Sequence, residues 1–159
     1  MALKRTRPHM PGYGIKKSKN GLLPWSFVSD RMLAAHNYWV VSATERGQPH
    51  TAPVWGLWHD DVFYFSSGKE TRKARNWDVN SAAIVHLESA DEVVILEGDI
   101  EIVNEIKEKK LLEQLDRLYP KKYDIQFLGL GNIYRLKLRR ALAWSENDFP
   151  TNATRWSGE

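Results

Sequence analysis

The run from residue 92 to 103 restricts the fold more than any other stretch. Leu96, Gly98, Ile100 and Ile102 fall on one face and Glu97, Asp99 and Glu101 on the other, the period-two alternation of a strand with one side in a core. The rest of the chain supplies its neighbours. Residues 38–44 form an apolar run, 45–48 a hairpin turn and 50–58 the return strand. Pro53 lies inside that return, which predicts an edge position or a bulge. Residues 62–65 and 82–88 read as further strands. The last strand covers 133–144, with Tyr134, Leu136 and Leu138 inward and Arg135, Lys137 and Arg139 outward. Trp25, Val28, Met32 and Ala35 recur at helical spacing over 24–36, with Pro24 tolerated in the first turn. A second helix follows Asn104 as cap, with an apolar stripe of Leu111, Leu112, Leu115, Leu118 and Tyr119 that Pro120 is expected to stop. About six strands, mostly joined by short turns, with two or three helices predict a mainly β chain with peripheral helices: a closed or partly closed antiparallel barrel. Residues 1–23, rich in Pro, Gly and basic side chains, read as an extended arm rather than a packed element. The barrel takes 24–146 and a tail takes 147–159.

A chain of 159 residues suits one domain. Seven Trp, six Tyr and five Phe supply a heavy aromatic content that serves the core, a dimer interface or a planar ligand, which composition does not separate. The net charge of +3 permits anionic partners without requiring them. Nucleic acid is not expected, because the basic residues gather in one turn and in the arm without interleaved stacking residues. The absence of cysteine removes disulfides, thiolate metal sites and thiol nucleophiles. The basic N-terminus lacks the apolar stretch of a secretory signal, and no run approaches membrane-spanning length. The expectation is a soluble, cytoplasmic protein.

Chemistry concentrates in residues 66–76. These follow the aromatic run 62–65 and read as the opening of a short helix. On a 3.6-residue period Lys69, Arg72, Lys73 and Asn76 share a face. Cations near a helix N-terminus oppose the backbone dipole at roughly 0.3–1 kcal/mol each. Such an arrangement makes sense if an anion sits there, held by hydroxyls, N–H groups and the cations together. A solvated basic helix is the alternative; the aromatic strand and the serines Ser66 and Ser67 favour the phosphate site. A P-loop is excluded, since Phe63 stands where its first Gly belongs and Glu70 where it needs Ser or Thr. The five histidines show no metal-ligand spacing, and neither a nucleophile elbow nor a carboxylate pair can be picked out. No catalytic side chain is assigned and no metal is expected. An enzyme built this way would leave the hard chemistry to a cofactor.

The order of elements carries a family resemblance. A helix is followed by a hairpin bearing Gly47, Gln48, Pro49 and His50, then Pro53, Val54, Trp55, Gly56, Leu57 and Trp58. The aromatic strand ending in Ser66 and Ser67 leads into Thr71, Arg72, Lys73, Ala74, Arg75 and Asn76, and later into residues 93–98. In this order, over about residues 24–103, the chain resembles the pyridoxamine 5′-phosphate oxidase-like split β-barrel superfamily (antiparallel, Greek-key type) of flavin and deazaflavin binders. Its Trp-rich return strand and its Arg-Lys-Ala-Arg-Asn turn are most similar to the branch that uses the deazaflavin coenzyme F420. The resemblance implies a cofactor phosphate against Ser66, Ser67, Arg72 and Lys73, with Lys69 and Asn76 beside them. It implies a tricyclic ring along the backbone of Pro53, Val54, Trp55 and Gly56. It also implies a homodimer in which the second subunit completes each site. Lys69 departs from the oxidases of the superfamily by adding a charge to the turn. The pattern around Arg155 and Trp156 differs from the tail of the vitamin B6 oxidases, so pyridoxal chemistry is not implied. The expected function is hydride transfer between F420 and a small conjugated substrate. The alternatives are an FMN-binding oxidoreductase of the same fold, or a non-catalytic carrier of a cofactor or tetrapyrrole. Core packing is the competing role for Trp55 and Trp58, which one continuous strand would place on opposite faces. Tyr119 and Tyr123 read as packing or dimer residues, and Lys121 and Lys122 as a solvated turn.

Overall fold

Every strand of the computed structural model, which describes residues 3–158, pairs antiparallel with its neighbours. Residues 1 and 2 of the expected arm and 159 of the tail lie outside the described residues. In chain order the elements are β1 (Lys4–Thr6), α1 (Trp25–Ala34), β2 (Tyr38–Ala43), β3 (Pro49–Val54), β4 (Leu57–His59), β5 (Val62–Ser67), α2 (Arg72–Trp77), β6 (Ala82–His86), β7 (Glu92–Ile102), α3 (Lys109–Tyr123), β8 (Asn132–Ser145), a 3-10 turn (Glu146–Asp148), α4 (Phe149–Asn152) and β9 (Thr154–Ser157). The sheet runs β1-β9-β8-β7-β6-β2-β3, while β8 also pairs β5 and β5 pairs β4. Because β3 and β4 are consecutive in the chain, the path β4-β5-β8-β7-β6-β2-β3 returns on itself through Trp55 and Gly56. This is a split β-barrel, mainly β with helices at its periphery, as the strand pattern predicts.

The alternation of β7 survives as predicted over most of its length. Val94, Leu96 and Ile100 are buried, and the outward acids meet outward bases on β8. Arg135 Nε lies 3.1 Å from Glu101, Arg139 Nε lies 3.2 Å from Asp99, and Arg140 pairs with Glu97. Ile102, expected inward, sits exposed at the end of the ladder, and Val103 takes its place in the core beside α3.

Two apolar clusters result. The barrel interior holds Phe63, Phe65, Val85, Leu96, Tyr134 and Leu136, closed by Val28 and Met32 of α1 and by Ala74 and Trp77 of α2. A second cluster lies between the sheet and α3, with Leu57, Tyr64, Leu115, Tyr119, Tyr123, Phe127 and Ile133.

Three expectations need correction. The return strand is not continuous over 50–58: β3 stops at Val54, β4 starts at Leu57, and they pair with different strands. Gly56 sits at the break because a Cβ there would lie 2.4 Å from the Phe63 ring and 2.7 Å from the Tyr64 carbonyl oxygen. Trp55 and Trp58 are therefore not opposite faces of one strand. Pro120 does not end α3, which runs on to Tyr123, with Asp124 N–H donating to the Pro120 carbonyl at 2.9 Å. Tyr119 and Tyr123, four residues apart on the buried face, carry the helix past the proline. The arm is packed rather than free, since β1 pairs β9. The Arg7 guanidinium donates to the carbonyls of Ser18 (2.7 Å), Asn20 (2.7 Å), Ala153 (3.1 Å) and Thr151. The ladder turns outward Arg155 and buries Trp156, which packs edge-on against Trp25. Among the described residues no helix is long and apolar enough to cross a membrane.

Gly98 tests the barrel seam. It stands at the β7–β8 bulge, and a Cβ there would come 2.1 Å from the Lys137 carbonyl oxygen. Gly98→Ala is expected to lower the unfolding free energy by about 1–3 kcal/mol, read from the urea midpoint. An unchanged midpoint would show that the bulge yields.

Candidate functional site

The cationic turn emerges from the end of β5. A strand turns successive side chains to opposite faces, so Ser66 and Ser67 separate. Ser67 shares its face with Phe63 and Phe65 and lies 2.9 Å, Oγ to Oγ1, from Thr71. Ser66 is opposite Ile133 in the ladder, on the α3 side, and its buried Oγ has no hydrogen-bond partner. The two hydroxyls therefore do not face one ligand.

Thr71 caps α2, its Oγ1 accepting from the Ala74 N–H at 3.3 Å. Because the helix begins at Arg72, Lys69 lies in the turn before it, not on a helical face with the other three. Lys69 and Arg72 are exposed. Asn76 is buried and points away from them, its Nδ2 donating to Ser42 Oγ at 2.9 Å. Lys73 is half-buried, and desolvation lowers its pKa. Among the described residues no carboxylate pairs with Lys69, Arg72 or Lys73. Lys73 is thus a partly desolvated cation that lacks an anion.

The expected ring segment lies along β3, at the edge of the sheet. Pro53 is opposite Trp39 and exposed, an edge position that needs no donor. Val54 packs against the barrel core. Asn76 anchors α2 at Ser42, whose ladder partner is His50. Four residues separate His50 from Val54, a span of roughly 13 Å along a strand. The last turn of α2 and the ring segment thus lie at opposite ends of β3.

Trp55 keeps 40% of its surface exposed while stacking on Tyr123, with centroids 4.8 Å apart and planes 8° from parallel. His36 meets Trp55 edge-on at 5.7 Å. Gly56 is the inward-facing member. Its N–H donates to Tyr123 Oη at 2.9 Å, and its carbonyl accepts from Tyr123 Oη at 2.8 Å and Lys122 Nζ at 3.1 Å. Both of its backbone polar groups are engaged within the chain.

This set brings in residues read from sequence only as packing or a solvated turn. Lys122 donates to Tyr38 Oη at 2.6 Å, and Tyr38 donates to the Met32 carbonyl at 2.5 Å, with the Ala35 carbonyl 3.1 Å away. Desolvation lowers the Lys122 ammonium to about 8 and raises the Tyr123 phenol to about 12; burial pushes Tyr38 up as well. The sequence signal was the spacing of Tyr119 and Tyr123, which continues the apolar stripe beyond Pro120. Among the described residues no three His, Asp or Glu side chains gather to hold a metal. A cavity of about 480 Å³ bounded by Trp25, Asp61, Tyr64, Arg135 and Leu138 is separate, and none of residues 53–56 or 66–76 lines it.

These shifts set a pH dependence. The folded protein releases the Lys122 proton near pH 8, whereas the unfolded chain holds it to about 10.5. The unfolded state binds more protons in that window, so stability rises with pH across it. The phenols of Tyr38 and Tyr123 act the other way. Neutral in the fold, they contribute fully below the ordinary phenol value of 10.0, and that contribution is lost as pH climbs beyond it. Wild type is expected to gain on Lys122→Met between pH 8 and 10 in urea midpoints. A difference that stays flat with pH contradicts the assignment.

The pyridoxamine 5′-phosphate oxidase family model matches residues 29–144. No curated protein matches the chain. Among solved structures, a conserved hypothetical protein of Mycobacterium tuberculosis superposes with a TM-score of 0.68 at 18% identity, over 82% of this chain and 89% of the other. A FAD-binding protein of Mesorhizobium loti gives 0.61 at 14% identity, over 86% and 96%. A heme storage protein of Vibrio cholerae gives 0.56 at 13% identity, over 72% and 86%. At these identities the likeness is one of fold. With most of its length matched by the family model and its strands closed into the split barrel, the chain belongs to the pyridoxamine 5′-phosphate oxidase family.

Proposed function

We propose that the protein is an oxidoreductase that holds coenzyme F420 and moves a hydride between it and a small conjugated substrate. Lys73 carries this reading: a partly desolvated cation without a carboxylate, flanked by exposed Arg72 and Lys69. Phosphate would complete that set, with Ser67 and Thr71 supplying hydroxyls on the same side. Pro53, Val54 and Trp55, at the far end of β3, would receive a tricyclic ring. When bound, a reduced deazaflavin supplies a hydride to one carbon of an activated double bond, such as an enone or a conjugated tetrapyrrole, while water protonates the other. The chain contributes position and shelter from water, which can lower a barrier by about 7–11 kcal/mol. FMN is the alternative cofactor, supported by the shared fold of the FAD-binding relative. Lys69 and the exposed Lys16, Lys17 and Lys19 of the arm favour F420, whose glutamyl tail adds negative charge. A non-catalytic tetrapyrrole carrier is the second reading, supported by the fold shared with the heme storage protein.

Arg72→Ala and Lys73→Ala are expected to weaken cofactor binding tenfold to a hundredfold, the loss of about 1.5–3 kcal/mol per charge-assisted contact, with folding intact. Fluorescence titration with F420 and with FMN reads this directly, and equal affinity in both variants removes the turn from the site. Stopped-flow mixing of reduced F420 with enones and tetrapyrroles then separates enzyme from carrier. Binding without oxidation faster than in buffer favours the carrier.

The active unit in this reading is a homodimer. One row of outward side chains crosses the sheet in register: Pro53, Trp39, His86, Ile95 and Leu142. Each is partly or fully exposed, and the Trp39 and His86 rings stack at 6.5 Å. A second copy laid on this face would cover the row and wall in the edge at Pro53. Light scattering is expected to give twice the chain mass, with Trp39→Glu shifting it toward the single chain. A wild-type monomer across a broad concentration range counts against the dimer.

A further inference from the structure

Three elements converge on Gly56. From the end of α1, the carbonyl of Met32 accepts from Tyr38 with that of Ala35 3.1 Å away, Tyr38 accepts from Lys122, and Lys122 donates also to the Gly56 carbonyl. From the C-terminal turn of α3, Tyr123 contacts the Gly56 amide and carbonyl and also the His36 carbonyl at 2.8 Å. A strand break inside a barrel must satisfy its backbone groups, and a neutral side chain or a water would suffice. Here a lysine is desolvated to do it, beneath the one tryptophan at the break that keeps a large exposed face. The groups facing the Lys122 amine are Tyr38 on β2, Tyr123 on α3 and the Gly56 carbonyl, none of them a carboxylate. A neutral amine still has two N–H groups for Tyr38 and Gly56.

We infer that Lys122 and Tyr123 are positioning residues: through Gly56 they hold Val54 and Trp55 in the conformation that receives the planar ring of the cofactor. The role rests on the cofactor reading above. Tyr123 holds the segment twice, by hydrogen bonds to the Gly56 backbone and by its stack on Trp55, which stays 40% exposed. Lys122 ties the same peptide to α1, so that the platform moves only if the helix does.

Tyr123→Phe keeps the stack and removes the hydroxyl, while Lys122→Met keeps the stem and removes the amine. Two readouts apply to both: hydrogen exchange at the Gly56 amide relative to Val94 and Leu96, and the dissociation constants for F420 and FMN. In Tyr123→Phe, Gly56 exchange is expected to accelerate tenfold or more, with Val94 and Leu96 unchanged. Cofactor affinity should fall at least tenfold in Tyr123→Phe and by a smaller factor in Lys122→Met. Faster exchange at all three amides would mark Tyr123 as a general fold residue and overturn the role, as would unaltered affinity with Gly56 released. If wild type binds neither ring, the cofactor reading fails and the positioning role with it. If wild type binds and both variants bind equally well, only the positioning role fails.

Discussion

β5 is packed on both faces, and the rest of the molecule depends on that. Phe63 and Phe65 enter the barrel while Tyr64, between them, enters the cluster under α3. This six-residue strand, with Leu57 and Trp58 of β4 and Ile133 and Tyr134 of β8 on either side, joins the two cores. It pairs with β4 on one edge and β8 on the other, so the ring closes through it. The Phe63 ring also excludes a side chain at position 56, so the same strand dictates where the β3–β4 corner falls. The cationic turn begins where β5 ends. Packing at its centre and chemistry at its tip are one continuous constraint.

The barrel was legible because its signal is local. Alternation in residues 92–102, the hairpin turn at 45–48 and the final strand need only period two and turn chemistry. The break at Gly56 was not, because the apolar run continues on both sides of it and its cause is a ring seven residues further on. The terminal strands β1 and β9 were missed for a related reason. They are short, and β1 finds its partner only at the opposite end of the chain, while β9 lies between β1 and β8.

The site was legible in composition more than in geometry. Residues 66–76 bring Ser67 against Thr71 at the start of α2, but Asn76 turns to Ser42 and Ser66 to the α3 side. Period two, applied to adjacent serines, was enough to separate them. Lys122 stayed hidden behind Pro120, since a helix read as ending there leaves a lysine two residues later in solvent. The stripe through Tyr119 and Tyr123 argues for one more turn, and that turn carries the amine inward.

The β1–β9 ladder gives the chain a particular order of assembly. Lys4 pairs with Ser157, and Trp156 fills part of the barrel interior. A nascent chain can form the β2–β3 and β4–β5 hairpins early, but β1 has no partner, and the interior lacks one indole, until residues 154–157 are made. Contacts of such sequence separation slow folding. They also make the β1–β9 pairing a late event, so removal of residues 154–157 would take away the strand that joins β1 to β8 and part of the barrel's filling.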